Sequence, residues 1–215
     1  MSEMIHIDPP PELDMAIGEV MFTQRAIRRL RHDKPVSDES LRVILEAATK
    51  APSGGNSQPA RFLVIRSRDK LRAFGALYHE AWWAKRRDEF GWTGKSDIPQ
   101  GSVYEMPARL ADEMADAPVV VLALSKGNAN AASSVFPGVQ NLLLAARALG
   151  IGSVLTTLHP QVMERVYALL GIPQEVHFHC CIPLGYPRGR FGPTRRFPAA
   201  AITSWDSWDG VPPWA

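Results

Sequence analysis

The chain has 215 residues, 46% of them apolar, with 24 Lys+Arg against 22 Asp+Glu and a formal net charge of +2. That length fits one domain, or one domain with an insertion, and the apolar content is ample for a core. The near balance of charge gives no case for bulk nucleic-acid binding, and no apolar run reaches the roughly 18 residues that mark a membrane helix. Cys180 and Cys181 are adjacent and are the only two cysteines, which excludes a disulfide framework. The first residues lack a basic segment followed by an apolar one, so no secretory signal is expected and the default location is the cytoplasm.

Residues 1–15 are rich in Pro and acidic groups and read as a loosely held arm. A short apolar pattern predicts a first helix from Ala16 to Phe22, followed by the basic run Arg25-Ala-Ile-Arg-Arg-Leu-Arg31. Ser37 is a good helix cap, and Leu41, Ile44, Leu45 and Ala48 recur at helical spacing, with Pro52 ending the helix. Residues 61–66 read as a strand and Lys70 to Trp83 as a helix. Residues 84–113 mix Gly, Pro and many charges and read as too irregular for a core element: a surface excursion or lid. Ala117 to Leu124 reads as a strand buried on both faces. Ser134 to Leu149 is the longest clean helix, with Gly150 as its natural stop. Ser153–Leu158 is strand-like, Pro160–Leu170 helical and Val176–Leu184 a last central strand, before an Arg- and Pro-rich tail ending in Trp205, Trp208 and Trp214. Interleaved helices and strands predict an α+β sandwich with a small sheet.

The stretch Ala51-Pro-Ser-Gly-Gly-Asn-Ser-Gln-Pro59 joins a helix to a strand. Two glycines permit a tight path and two prolines fix its edges. Ser53, Asn56, Ser57 and Gln58 can grip a polar heterocycle or simply form a turn. Separated Arg clusters at 25–31 and 188–196 are solvated faces unless they meet on one phosphate. Lys85-Arg86-Arg87 reads as a solvated face. No G-x-G-x-x-G, Walker loop, G-x-S-x-G or H-E-x-x-H occurs, which argues against dinucleotide folds, phosphate-loop ATPases, serine hydrolases and zinc proteases. On a regular strand His177, His179 and Cys181 would share one face. Packing in a buried strand is the preferred reading, and no metal site is expected.

Four stretches in this order resemble the nitroreductase family of flavin mononucleotide (FMN) enzymes: Gln24-Arg-Ala-Ile-Arg28, the 51–59 loop, Gly138-Val-Gln-Asn-Leu-Leu-Leu-Ala-Ala-Arg-Ala-Leu-Gly-Ile-Gly152, and Leu184-Gly-Tyr-Pro187 followed by Arg195-Arg196. The resemblance spans about residues 20–198. It implies a nitroreductase-like α+β sandwich, with a small, mostly antiparallel central sheet flanked by helices. It also implies a homodimer with exchanged arms and FMN at the subunit interface. The expected organisation is a single domain over 1–215, with a lid-like insertion at 75–113 and a C-terminal arm at 198–215. Arg25, Ala26 and Arg28 would lie near the flavin phosphate and ribityl chain, with Arg195 approaching from the tail. Asn56 would contact the polar edge of the ring, and Pro52, Ser53, Gly54 and Gln58 would line the same side. The backbone at Thr156, Thr157 and Leu158 would lie against the N5 edge, with Pro137 close by. The family often has Ser where this chain has Ala26, and Arg or a similar group where it has Gln24. Arg29 or Arg196 would then compensate at the phosphate.

The implied reaction passes electrons from NADPH or NADH through FMN to an electron-poor acceptor, a nitroaromatic or quinone, by a ping-pong mechanism. The cofactor carries the chemistry, so no catalytic side chain is named. Trp82, Trp83, Trp92, Tyr78, Phe90 and Tyr104 either line a mouth for a small aromatic acceptor or glue the segment to the body. Rival readings are a reductive dehalogenase-like or flavin-fragmenting enzyme, a flavin-binding storage or sensor protein with slow turnover, and a ligand-binding or acyl-transfer protein without flavin. Neither a membrane nor a nucleic acid is an expected partner.

Overall fold

The computed structural model describes residues 8–127 and 131–215; the first seven residues of the expected N-terminal arm lie outside them. Four strands form one sheet in the order β1-β2-β4-β3: β1 is Ala60–Ile65, β2 Val119–Lys126, β3 Gly152–Ser153 and β4 Val176–Gly185. All three pairings are antiparallel. The helices are α1 (Ile17–Thr23), α2 (Asp38–Thr49), α3 (Arg68–Phe90), α4 (Glu105–Glu113), α5 (Ala132–Ala148) and α6 (Met163–Leu170). This is the expected α+β layering of helices on a small antiparallel sheet. No helix among the described residues is long and apolar enough to cross a membrane.

Strand alternation divides the core in two. Val119, Val121 and Ala123 of β2 pack with α2 and α5, through Leu41, Ile44, Val135, Val139 and Leu142. Val120, Leu122 and Leu124 face the other way, onto α3, α4 and α6 through Leu71, Phe74, Tyr78, Leu110 and Val166. Burial of each large aliphatic side chain contributes about 1.5–3 kcal/mol, so a strand buried on both faces holds the layers together. Local signals fix the helix ends. The Ser37 hydroxyl accepts the Ser40 N–H at 3.1 Å, and Gly150, just past α5, takes a φ of 70°.

Three expectations need correction. Residues 84–113 are not irregular throughout, because α3 continues to Phe90 and α4 buries Ala108, Leu110 and Ala111. Ser153–Leu158 is not a strand of that length: β3 holds two residues, and only Thr156 pairs again, with Cys181. His177, His179 and Cys181 do not share a face. Ala123 pairs with Cys180 and Leu124 with Phe178, which leaves His179 as an extra residue in a β-bulge. The bulge reverses the alternation, so Cys181 joins Phe178 on the α3 side while Cys180 faces α5.

Candidate functional site

Residues 25–28 leave α1 in extended form and lie beside β3. Ala26 bridges Ser153 in parallel, and the Ile27 N–H donates to the Ser153 carbonyl at 2.9 Å. Gly152 makes this approach possible, since a Cβ there would lie 2.7 Å from Ile27 Cγ2. Ile27 turns into the core, leaving Arg28 half-buried and Arg25 exposed. The tail returns to the same place. Buried Arg147 donates to Thr23 Oγ1 at 2.8 Å and to Glu19 at 3.2 Å, and its guanidinium lies 4.3 Å from the centre of the Phe191 ring. One cation thus fastens the end of α1 and the start of the tail to α5. Arg25, Ala26, Arg28, Pro193, Thr194, Arg195 and Arg196 then line a common cavity of about 410 Å³.

The electrostatics of this cavity are one-sided. Among the described residues, Arg25, Arg28, Arg195 and Arg196 form no ion pair. Burial, with Arg25 alongside, holds the Arg28 guanidinium below its ordinary pKa, against a smaller opposing effect from Tyr78. Unneutralised guanidinium groups around one cavity are the donor set that a phosphate requires. The residues present therefore fit the phosphate end of a mononucleotide.

From Ser153, which bridges Ala26 of the cavity lining, the chain continues to Thr156 and Thr157. Thr156 is held on both sides. Its backbone exchanges hydrogen bonds with Cys181 at 3.0 and 2.8 Å, and its hydroxyl lies 2.8 Å from the Tyr78 hydroxyl. Lys85 Nζ donates to the Thr157 carbonyl at 2.9 Å and to its hydroxyl at 2.6 Å. Leu158 is buried in the core, so only its backbone is available to a ligand. His159 extends the same anchoring, with Nε2 3.0 Å from Asp88 Oδ2 on α3. Sequence reasoning missed Lys85, which stood in an apparently solvated cluster. The signal was its seven-residue spacing from Tyr78, which puts both on one face of α3.

The 51–59 loop forms a second group. Gly55, Asn56 and Gln58 have φ of 57°, 52° and 46°, and the two non-glycine residues pay a strain of order 1 kcal/mol each. Side chains hold the shape: the Gly54 N–H donates to Ser134 Oγ of α5 at 3.0 Å, the Gln58 N–H to Ser53 Oγ at 3.0 Å, and Gln58 Nε2 to Asn56 Oδ1 at 3.1 Å. Pro137 follows Ser134 by three residues, so it lies on the same face of α5 as this anchor. Among the described residues, the loop contributes nothing to the lining of the arginine cavity. One chain thus presents two groups, a cationic cavity with the 153–158 segment and a strained polar loop beside α5.

A family model, Nitroreductase family, matches residues 22–186. The chain belongs to the nitroreductase family. An NADH dehydrogenase of Thermus thermophilus is 31% identical over 207 residues, covering 85% of this chain and 92% of the relative. An iodotyrosine deiodinase of Thermotoga neapolitana is 28% identical over 169 residues, covering 76% and 84%. The crystal structure of oxidized iodotyrosine deiodinase bound to FMN and 3-iodo-L-tyrosine superposes with a TM-score of 0.70 at 25% identity, over 89% of this chain and 99% of that one. The names of these relatives differ in what they act on, NADH in one and iodotyrosine in the others, and FMN is the bound cofactor of the superposed deiodinase structure. Membership of the nitroreductase family therefore fixes the class of chemistry and leaves the acceptor to the chain's own residues.

Several residues singled out in the sequence stand apart from both groups. Phe90, Trp92 and Tyr104 pack on one another with ring centres 4.6–5.4 Å apart. The Arg86 guanidinium lies 4.8 Å from the Tyr104 ring centre. Trp82 is buried against Trp83 at 4.8 Å. These contacts glue residues 91–104 to α3. At the β-bulge, His179 Nε2 lies 2.8 Å from Ser125 Oγ, and burial holds the His179 pKa below its ordinary value.

Proposed function

We propose that the protein is an FMN-dependent oxidoreductase that passes electrons from NADH or NADPH to an electron-poor acceptor, such as a nitroaromatic or quinone, by a ping-pong mechanism. The observation that carries this reading is the convergence of Arg25, Arg28 and Arg195 on one cavity, without a carboxylate partner among the described residues, in a chain of this family. When bound, FMN supplies the hydride-accepting and electron-donating chemistry.

The chain's residues do the rest. Arg25, Arg28 and Arg195 hold the phosphate, with Arg196 making up for the missing hydroxyl at Ala26. The anchored backbone from Thr156 to Leu158 lies along the N5 edge. Asn56 and Gln58 offer amide donors and acceptors to the imide edge, with Pro52, Ser53, Gly54 and Pro137 shaping that wall. Because, among the described residues, the loop lines none of the arginine cavity, the complete site is best formed across a homodimer interface. Exposed apolar side chains support that assembly: Ile17, Met21 and Phe22 on α1, Phe197 just before the 198–215 arm, and Ile202, Trp208 and Val211 within it. We assign residues 75–113 the part of a lid, stiffened by its own aromatic cluster, over a single-domain cytoplasmic enzyme. No side chain is assigned as nucleophile, acid or base.

Initial rates with varied nicotinamide and acceptor test the mechanism. Parallel reciprocal plots are expected, and intersecting plots would refute two half-reactions at one site. The likeness to iodotyrosine deiodinase favours a second reading, reductive dehalogenation. Halide release from halophenols by the dithionite-reduced protein, faster than nitroaromatic reduction, would select it.

A further inference from the structure

Tyr78 and Lys85 lie two turns apart on α3 and grip consecutive residues of the 153–158 segment, Thr156 and Thr157. Cys181 holds Thr156 from the sheet side. One of these three anchors is costly. Lys85 is half-buried, and among the described residues its ammonium forms no ion pair; both acceptors that it reaches are neutral oxygens of Thr157. A desolvated cation satisfied only by neutral oxygens keeps most of its charge. Such a group is stabilised when negative charge arrives beside it. Burial also holds the Lys85 pKa below its ordinary value, against smaller opposing effects from Cys181 and Glu89. The segment it holds begins at Ser153, beside Ala26 in the arginine cavity. Four residues of extended chain, up to about 14 Å, separate the two cationic places.

We propose that Lys85 is a positioning residue of the redox reaction: it fixes Thr157 by its carbonyl and hydroxyl, and its unneutralised ammonium favours the reduced, anionic form of the flavin whose phosphate the arginines hold. The proposal rests on the flavin reading above. Lys85 acts through Thr157 and through its charge, and it touches no acceptor. A purely structural lysine would alter the stability of the fold and leave the cofactor's redox balance alone.

The test compares wild-type protein with Lys85→Met and Lys85→Arg, each reconstituted with FMN. FMN affinity is read by fluorescence titration, midpoint potential by equilibration with reference dyes, and apoprotein stability by calorimetry. Lys85→Met is expected to bind FMN within about threefold of wild type. Its reduction equilibrium is expected to shift toward the oxidised form by about tenfold, which for two electrons is about 30 mV. Lys85→Arg keeps the charge and is expected to recover most of that shift. If Lys85→Met does not fold, Lys85→Gln replaces it. A midpoint potential unchanged in a variant that binds FMN would overturn the role of Lys85 while leaving the flavin reading intact. A wild-type protein that takes up no FMN would overturn both.

Discussion

Replacing Arg28 with methionine separates a ligand-binding role from a structural one, because the two predict opposite signs. Arg28 is half-buried, forms no ion pair among the described residues and has Arg25 beside it. In the apoprotein its charge is a burden, so an unbranched apolar chain of similar reach should leave stability unchanged or raise it. In the holoprotein the same change removes a charge-assisted hydrogen bond to phosphate, worth about 1.5–3 kcal/mol. At 1.4 kcal/mol per tenfold, FMN affinity should fall by about 10- to 150-fold. Titration of the apoprotein with FMN and calorimetry of the apoprotein measure the two effects separately. An affinity within twofold of wild type, together with a marked fall in apoprotein Tm, would refute the reasoning and return Arg28 to a structural role.

Two further outcomes follow from the core. Gly75→Ala places a Cβ 2.4 Å from Ala115 Cα, where α3 meets the turn before β2. The helix gain of about 1 kcal/mol is outweighed by a forced backbone shift of about 1–3 kcal/mol, so calorimetry should show a lower Tm; an unchanged Tm would contradict the close packing of α3. Burial pushes the Cys180 thiol up to about 12 and the Cys181 thiol higher still. Neither should react with a thiol reagent at pH 8 until the protein unfolds. Above the ordinary thiol pKa of 9.0, the unfolded chain loses protons that the folded one keeps, so this pair lowers stability as pH rises from about 9 toward 12 and is without effect below that window. Rapid labelling of the folded protein at pH 8 would contradict the buried assignment.

Much of this fold was legible in the sequence because local signals and burial agreed. Ser37 caps α2 as its sequence demands, β2 is buried on both faces, and Gly150 ends α5 by adopting a conformation that disfavours side chains. The expectations failed where the deciding interaction was distant. The end of α3 carries Lys85, Arg86 and Arg87 and looked like a solvated face, yet Lys85 reaches Thr157, 72 positions away. The β-bulge at His179 leaves no mark in a two-residue alternation, because it is set by pairing with β2. The shortness of β3 likewise reflects what β4 offers it, pairing at Gly152–Ser153 and then only at Thr156. At the site, the basic clusters at 25–28 and 195–196 were visible, but their meeting depends on Arg147, whose contacts with Thr23 and Phe191 no local pattern reveals. The positive φ values of Asn56 and Gln58 were also hidden, since neither residue requires them.

The most direct test of the flavin assignment is the visible spectrum of the purified protein supplied with FMN, recorded before and after anaerobic addition of NADH and then NADPH. A bound oxidised-flavin spectrum that bleaches with at least one nicotinamide is expected. A protein that retains no FMN would contradict it and leave the arginine cavity without its proposed ligand.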